Sequence, residues 1–444
     1  MQQKRIAHKN RLILGLGQTG LAVARYLSAL GQPFKVMDTR DNALGAEQLE
    51  ALAPDSLLKW DAEQLQQFDE LVVSPGISVQ RADIQAARAA GVSVIGDIEL
   101  FAQANSLPVI AITGSNGKST VTDLVGELIN ASGKKALVGG NIGIPALDLL
   151  NQDGDYVVLE LSSFQLETTF SLSPLVATVL NVSEDHLDRY NDYQEYIDAK
   201  RSIYREAANC LINADDANTW WNNVSKEQKL IRFGVSLEQR QLDWELDGTA
   251  NAIKYHGQQV LTLDELTLQG LHNALNVVVA LALVTAAGLE VTQSVVDAAK
   301  AYSGLPHRCQ LVAIKNGVTF INDSKATNVG ATIAAIESFN NQFNRKIILL
   351  AGGDAKGADL SSLQNTIEER VKAVICFGKS ASAIAKLSPA KSQQVSDLSE
   401  AVTLANQLAQ NGDLVLLSPA CASWDMFVDY KQRGEQFAQC VEAL

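Results

Sequence analysis

A strand, a glycine-containing loop and a helix follow one another over residues 108–132, and no other stretch constrains the fold as strongly. The apolar run before the glycines predicts a buried strand, and the apolar periodicity from Val121 to Ser132 predicts a helix. A loop in this setting directs several backbone N–H groups at one point, where the helix N-terminus adds partial positive charge. The sequence therefore predicts a phosphate site, with Lys118 reaching the terminal phosphates and Ser119 holding Mg²⁺.

The match to the strict phosphate-loop pattern is incomplete, because Ile112 stands where the first glycine belongs. A Gly-Lys-Ser sequence also occurs in ordinary turns that bind no ligand. The flanking strand and helix, however, are the context that a nucleotide site requires. We interpret the loop as an ATP site.

Length and composition indicate a cytoplasmic protein of about three domains. The chain has 444 residues, of which 47% are hydrophobic and 19% charged, as in globular proteins. A net charge of −14 argues against nucleic acid or an anionic membrane as the main partner. Five scattered cysteines predict reduced thiols rather than disulfides or zinc ligands. The apolar run near the start is too short for a signal peptide, and no window reaches the ~18 apolar residues of a membrane span.

The first segment, residues 1–97, alternates between short apolar strands and helical stretches. Strands are predicted at Arg11–Gly15, Pro33–Asp38, Leu71–Gly76 and Val92–Ile95. This alternation, with glycine turns, predicts a parallel, right-handed α/β unit.

The glycines of Gly15–Gly20 fit the pattern G-x-G-x-x-G, and Asp38 lies about 20 residues further on. Taken alone, the pattern favours NAD. Two alternatives remain open: a nucleotide such as a UDP-sugar, with Asp38 or Arg40 at the polar end of its pocket, or glycines that serve only strand–helix packing.

The middle segment, residues 98–302, places three further candidates after predicted strands or on a helix. Glu160 ends a strand beside the phosphate loop, where it is either a Mg²⁺ ligand or the partner of a lysine. His186, in an acidic loop, is either a metal ligand or a loop residue. Lys200 lies in the helical stretch Tyr193–Ala207, where the pattern alone predicts a solvated lysine.

A long apolar helix is predicted from His272 to about Ala287. His272 and Asn273 at its start are typical helix caps. Asn273 and Asn276 are also one turn apart on one face, an arrangement that suits two amides reading a base edge.

The last segment, residues 303–444, opens with a predicted hairpin and continues as a third α/β unit. We expect Asp323–Asn328 to open a helix, with Asp323 as its cap and Lys325 in its first turn. A cation there is disfavoured by the helix dipole, which suggests an anionic ligand nearby.

Seven motifs in this order resemble the Mur ligases, the ATP-dependent amide ligases that build the peptide stem of bacterial peptidoglycan. The motifs are Thr113–Thr120, Glu160–Gln165, Asn181 to His186, His272 to Asn276, Leu305–Arg308, Asn322–Asn328 and Ser418–Ser423. The resemblance covers the whole chain and implies a three-domain α/β fold, with a Rossmann-like UDP-sugar domain at 1–97, a phosphate-loop ATPase-like domain at 98–302 and a Rossmann-like amino-acid domain at 303–444.

Within the family, Gly15–Gly20, Ser74–Gly76 and Ser423–Phe427 are most similar to the branch that adds D-glutamate to UDP-N-acetylmuramoyl-L-alanine. This resemblance overturns the local preference for NAD in the first domain. It implies a monomeric ligase of cytoplasmic peptidoglycan synthesis, cell wall biogenesis and cell division. The alternatives are another Mur-type or folylpolyglutamate-type ligase and, in a different class, an NAD-dependent oxidoreductase.

The resemblance also implies roles for individual residues. The ATP contacts would be Gly114, Ser115, Asn116, Gly117, Lys118, Ser119, Thr120, Asn273, Asn276, Arg308 and Asp323. The UDP-sugar contacts would be Gln18, Thr19, Asp38, Thr39, Arg40, Ser74, Gly76 and Asn141, and the D-glutamate contacts Lys325, Thr327, Lys356, Ser423 and Tyr430. Two Mg²⁺ ions would use Ser119, Glu160, His186 and a Lys200 that CO₂ has carbamylated. Lys118, Glu160, His186 and Lys200 would be the catalytic residues, and either His186 or His307 would deprotonate the attacking amine.

Overall fold

The computed structural model describes residues 7–43, 45–184, 189–237, 241–268, 270–343 and 346–444. The chain divides into two compact units. One comprises Met1–Glu245, Lys254–Gln258 and Val279–Val296, and the other comprises Leu246–Ile253, Gln259–Val278 and Asp297–Leu444. Among the described residues, no helix combines the length and the apolar character that crossing a membrane requires.

The first sheet has five parallel strands in the order β3-β2-β1-β4-β5. Its strands are β1 (Arg11–Leu14), β2 (Phe34–Met37), β3 (Leu57–Leu58), β4 (Glu70–Val73) and β5 (Ser93–Ile95). Its helices are α1 (Gln18–Ala29), α2 (Ala46–Leu52) and α3 (Ala82–Ala89), with a 3₁₀ turn at Gln64–Gln67, and α4 (Asp97–Ala104) leads to the next sheet. The four predicted strands are present. The fifth, β3, was missed because it is only two residues long and carries no alternating pattern.

The second sheet is built around β6, the strand that precedes the phosphate loop. Its strands are β6 (Val109–Thr113), β7 (Ala136–Gly140), β8 (Tyr156–Glu160), β9 (Val176–Val179), β10 (Asn209–Asn213), β11 (Lys229–Val235), β12 (Trp244–Asp247), β13 (Ala252–Tyr255) and β14 (Gln258–Thr262). Its helices are α5 (Lys118–Ala131), α6 (Ala146–Leu149), α7 (Ser163–Leu166), α8 (Tyr193–Arg201), α9 (Leu271–Ala286) and α10 (Gln293–Ala301). Short 3₁₀ turns lie at Ser202–Tyr204, Ala217–Thr219 and Leu263–Glu265.

The parallel pairing of β6 with β8 on one side and β9 on the other decides which side chains meet at the loop. Because parallel strands end at the same edge of a sheet, residues after β8 and β9 lie beside the loop after β6. Helix α5 begins at Lys118, three residues before the predicted start, since Gly117 adopts a left-handed conformation with φ of 81° and turns the chain into the helix.

The third sheet has six strands in the order β15-β16-β20-β17-β18-β19, with only β15 and β16 antiparallel. The strands are β15 (Gln310–Lys315), β16 (Val318–Asn322), β17 (Ile347–Gly352), β18 (Val371–Phe377), β19 (Ser392–Gln394) and β20 (Leu414–Leu417). The helices are α11 (Val329–Phe343), α12 (Leu363–Arg370), α13 (Ala381–Ala385), α14 (Leu398–Leu408) and α15 (Tyr430–Glu442). The predicted hairpin is confirmed.

The core of the third sheet shows why its strands are continuous apolar runs. On β17, Ile347 and Leu349 pack into one cluster of buried residues, whereas Ile348 and Leu350 pack into another. Since each cluster also contains residues of helices, both faces of the sheet are covered. This is the arrangement of parallel α/β domains, and the predicted fold class is confirmed.

The prediction that Asp323–Asn328 opens a helix is wrong. Helix α11 begins at Val329, and the Asn328 side chain accepts the N–H of Ala331 at 2.8 Å. The N–H of Lys325 donates to the carbonyl of His307, so the segment before the helix is a turn tied to the preceding loop. The tertiary hydrogen bond outweighed the local capping signal.

Candidate nucleotide and substrate sites

Two lysines converge on one carbonyl oxygen of the phosphate loop. Lys118 Nζ donates to the carbonyls of Gly114 and Ser115 at 2.8 and 2.9 Å, and Lys200 Nζ donates to the same Gly114 carbonyl at 3.0 Å. Two ammonium groups at one oxygen concentrate positive charge beside a helix N-terminus, which favours a polyphosphate.

Lys200 is therefore not the solvated lysine that its helix pattern predicted. Its side chain is only 2% exposed, and its ammonium also lies 4.6 Å from the ring centroid of Tyr196. Helical periodicity identifies which residues share a face of α8, but it does not identify the loop against which that face packs.

Asn181, two residues after the end of β9, accepts hydrogen bonds from the amides of Ser115 and Asn116 in the loop. Its backbone carbonyl accepts the N–H of Ser115 at 2.9 Å, and its side-chain oxygen accepts the N–H of Asn116 at 2.8 Å. The loop amides were predicted to donate to a phosphate. In this structure the amides of Ser115 and Asn116 donate to Asn181 instead. Gly117, Lys118, Ser119 and Thr120 lie in the first turn of α5 and just before it.

Glu160 has the features of a cation ligand. It ends β8 and is 1% exposed; Asn141 Nδ2 donates to its Oε1 at 2.7 Å. No residue in the described ranges donates to its Oε2. A buried carboxylate oxygen without a donor is costly unless a cation binds it, so the carboxylate fits Mg²⁺. Ser119, also buried, lies in the first turn of α5.

Only Glu160 and Lys200 of the second predicted metal site lie within the described residues. His186 lies outside the described residues. Within them, no three His, Cys, Asp or Glu side chains are arranged to hold a metal ion. Lys200 as an ammonium is not a ligand, and only its carbamate would supply oxygen atoms.

A cavity of about 490 Å³ lies in the first unit at the carboxyl ends of the strands of the first sheet. All eight residues predicted to contact a UDP-sugar line it: Gln18, Thr19, Asp38, Thr39, Arg40, Ser74, Gly76 and Asn141. Seven come from the first sheet and Asn141 from the end of β7. The structure thus brings together residues that are up to 123 positions apart in the sequence.

The Asp38 carboxylate is already engaged at this cavity. It accepts the Leu16 N–H at 2.7 Å and pairs with the Arg40 guanidinium through two hydrogen bonds of 2.8 Å. The Arg40 pairing lowers the pKa of Asp38 to about 2. An acidic residue that accepts ribose hydroxyls in an NAD site needs an available oxygen, so this pairing disfavours the NAD interpretation.

Arg189 is a residue that the sequence analysis missed. Its guanidinium donates to the carbonyls of Pro75 and Ile77, at 2.8 and 2.9 Å, and lies 3.9 Å from the ring centroid of Phe164. It therefore connects a cavity loop of the first sheet with helix α7, which follows Glu160. The nearby acidic motif is its only signal in the sequence.

The residues predicted to contact the nucleotide in the second unit lie at the start of α9 and in the loops before β15 and after β16, where Asn273 and Asp323 are buried. Asn276 Nδ2 donates to Asn273 Oδ1 at 3.1 Å, which confirms that the two amides share a helix face. Asp323 accepts the Cys309 N–H at 3.2 Å and the Ser418 hydroxyl at 2.8 Å, and burial raises the pKa of Asp323 to about 6. Arg308, beside Cys309, is half-buried.

His272 connects the start of α9 with the loop before β15. Its Nε2 lies 3.4 Å from Cys309 Sγ, and burial lowers the pKa of the ring to about 4. Because α9 begins at Leu271, His272 lies within its first turn and is not the cap, and its backbone N–H donates to the Ser338 hydroxyl. The imidazole is therefore neutral at pH 7.

The residues predicted to contact an amino acid lie after β16, β17 and β20. Lys325 Nζ lies 4.0 Å from the ring centroid of Tyr430, and Lys356 Nζ lies 3.9 Å from that of Trp424. Ser423 is buried, whereas Thr327 is exposed and donates its N–H to the Lys325 carbonyl.

Arg433, which the sequence analysis also missed, ties these loops together. Its fully buried guanidinium donates to the carbonyls of Ser324, Gly352 and Cys421, one after each of the three strands or at its end. Burial lowers the pKa of Arg433 to about 10, so it stays charged at neutral pH.

Three models of the Mur ligase domains match this chain in order. The MurD-like N-terminal domain matches residues 9–96, the middle domain matches residues 112–284, and the glutamate ligase domain matches residues 307–421. Together they cover most of the chain.

Curated relatives match over almost their full length. The UDP-N-acetylmuramoylalanine--D-glutamate ligase of Marinobacter nauticus is 48% identical over 99% of both chains. The enzyme of the same name from Pseudoalteromonas translucida is 47% identical over 99% of this chain and 98% of its own. The solved UDP-N-acetylmuramate-alanine ligase MurC of Thermotoga maritima, at 19% identity, shares the fold with a TM-score of 0.60 over 98% of this chain and 100% of its own. The chain belongs to the Mur ligase family, and within it groups with the UDP-N-acetylmuramoylalanine--D-glutamate ligases.

Proposed function

We propose that the protein joins D-glutamate to UDP-N-acetylmuramoyl-L-alanine and converts ATP to ADP and phosphate. The observation that carries this proposal is that one chain holds a lysine-rich phosphate loop and a separate cavity lined by all eight predicted UDP-sugar residues. The names of the full-length relatives support the choice of D-glutamate.

Each predicted domain supplies most of the contacts to one ligand in this proposal. Residues 1–97 bind the UDP part of the acceptor, residues 98–302 bind the ATP phosphates, and residues 303–444 bind D-glutamate. Asn273, Asn276 and Arg308 would contact the adenine and the phosphates, with His307 and Asp323 near the nucleotide.

The reaction needs ATP because a free carboxylate has a poor leaving group. The acceptor carboxylate attacks the γ-phosphoryl group of ATP, and ADP leaves. The resulting acyl phosphate carries phosphate, which is a good leaving group. Negative charge accumulates on the γ-oxygens during transfer, and Lys118 with the first-turn amides of α5 would stabilise it. The D-glutamate amine then attacks the acyl carbon, and phosphate leaves.

Mg²⁺ fits the loop on the side of Glu160. Ser119 and Glu160 would hold one ion, and Glu160, His186 and carbamylated Lys200 a second. Bound there, the ions would neutralise phosphate charge. Carbamylation would also remove one ammonium from the Gly114 carbonyl and replace it with an anionic ligand.

The geometry of His307 disfavours it as the base that deprotonates the amine. Asn322 Oδ1 accepts the Ser324 N–H and its Nδ2 donates to the Gly434 carbonyl, so the amide presents its Nδ2 to His307 Nδ1 at 3.1 Å. His307 Nδ1 is then the acceptor, and the neutral ring carries its proton on Nε2. No ring lone pair is left for the amine proton.

Phosphate release with single amino acids tests the proposal. With UDP-N-acetylmuramoyl-L-alanine and ATP, we expect release with D-glutamate and little with L-glutamate, L-alanine or meso-diaminopimelate. Preference for L-alanine on the unextended sugar, or for a folate acceptor, would assign the protein to a sister branch. The cytoplasmic location and the monomeric state stay predictions.

A further inference from the structure

The segment after β20 carries an exposed tryptophan whose position needs an explanation. Trp424 is 68% exposed, although a large aromatic ring in water gains no hydrophobic stabilisation. Its ring instead lies under Lys356, with Nζ 3.9 Å from the ring centroid. This distance is within the range of a cation–π contact.

Backbone hydrogen bonds hold the two loops in register. Asp354 and Ala422 exchange both N–H···O bonds, at 2.8 and 2.9 Å, two residues from Lys356 and Trp424 respectively. Asp354 Oδ1 also accepts the Lys356 N–H at 2.9 Å. Lys356 adopts a left-handed conformation with φ of 51°, which this hydrogen bonding maintains.

A neighbouring lysine shows what the ring contact changes. Lys379 Nζ pairs with Asp354 Oδ2 at 2.9 Å, so a carboxylate neutralises its charge. Asp354 also attracts Lys356 electrostatically, but among the described residues its carboxylate forms its ion pair with Lys379 and not with Lys356. An aromatic face attracts an ammonium through its quadrupole without cancelling the charge. Of these two lysines, Lys356 is the one that retains its charge for an anionic ligand.

We propose that Trp424 is a positioning residue for the incoming amino acid: its ring holds the Lys356 ammonium in place to bind a carboxylate of an acidic amino acid. This inference rests on the proposed function. It adds a residue that acts on the amino acid only through Lys356. The chain would thereby select a dicarboxylic substrate by charge.

Substitution of the ring separates this role from a structural one. Trp424→Leu should raise the KM for D-glutamate about fivefold, the effect of a partly exposed cation–π contact. The variant should keep kcat and the KM values for ATP and UDP-N-acetylmuramoyl-L-alanine within about twofold of wild type. Its thermal unfolding midpoint should change by no more than a few degrees. Trp424→Phe, which retains an aromatic face, should restore the KM for D-glutamate to within about twofold.

Val428→Ala is the matched control, because Val428 is 81% exposed in the same segment. It should leave all three KM values unchanged. An unchanged KM for D-glutamate in Trp424→Leu, an equal rise for all three substrates, or no recovery in Trp424→Phe would overturn the inference while leaving the proposed function intact. If wild-type protein released no phosphate with D-glutamate, both proposals would fall.

Discussion

The two strand–glycine–helix loops of the first unit look alike in sequence and differ in charge. At the first loop, the carboxylate of Asp38 accepts the Leu16 N–H, and Arg40 neutralises it. At the second, the ammonium groups of Lys118 and Lys200 meet at the Gly114 carbonyl. The ion pair leaves the first loop without an excess charge, whereas the two ammonium groups concentrate positive charge at the second. A glycine pattern therefore identifies a loop, but the residues that pack against it decide its ligand.

The largest expected effect comes from removing the cation of the second loop. Lys118→Ala should lower ATP-dependent ADP release by at least about 100-fold, because transition-state charge loses its stabilising partner. Lys134→Ala, an exposed lysine in the turn after α5, is the control and should retain activity. Substantial turnover in Lys118→Ala would refute the phosphate-loop assignment.

Substitution of Lys200, the second lysine at that loop, tests whether its side chain acts as an ammonium or as a carbamate. Lys200→Ala should lose about two orders of magnitude in turnover and regain part of it with added acetate or formate, which replace the missing carboxylate-like ligand. Lys118→Ala should gain nothing from either anion. No recovery in Lys200→Ala would contradict the carbamylation prediction.

A substitution at the first loop should affect binding of UDP-N-acetylmuramoyl-L-alanine and not of ATP. Asp38→Asn removes the partner of Arg40, and we expect the KM for UDP-N-acetylmuramoyl-L-alanine to rise about tenfold while the KM for ATP stays unchanged. Asp83→Asn is the matched control, since Asp83 forms a similar two-bond pair with Arg81 outside the cavity. Equal effects of the two variants would show that the pairing matters only for folding.

The smallest effect is on acid stability. The pKa of Asp38 is lowered from 3.8 to about 2, so its ionised form stabilises the folded state above pH 4, and this contribution is lost as pH falls towards 2. In chemical unfolding, the free-energy difference between wild type and Asp38→Asn should be constant above about pH 5 and shrink below pH 4. A difference independent of pH would argue against the ion pair.

Much of the site followed from the sequence because its residues sit at strand ends. Strand apolarity and glycine turns located the sheets, Glu160 ends its strand as predicted, and the eight residues predicted to contact a UDP-sugar line one cavity. The helix predicted at Asp323 failed, because the Lys325 N–H is tied to His307 by tertiary structure. Arg189 and Arg433 escaped notice because a guanidinium that donates to distant carbonyls leaves no periodic signal.

By itself, the sequence determined the alternation of strands and helices, the position of each glycine loop and the family. These depend on local backbone preference and on apolar periodicity, which neighbouring residues encode. Only the tertiary structure decided which charges are neutralised. Arg40 neutralises Asp38, and Asp354 neutralises Lys379. Lys200, by contrast, is buried against the Gly114 carbonyl, 86 residues away in the sequence. Charge pairing depends on distances of a few ångströms between side chains, and chain folding alone sets those distances.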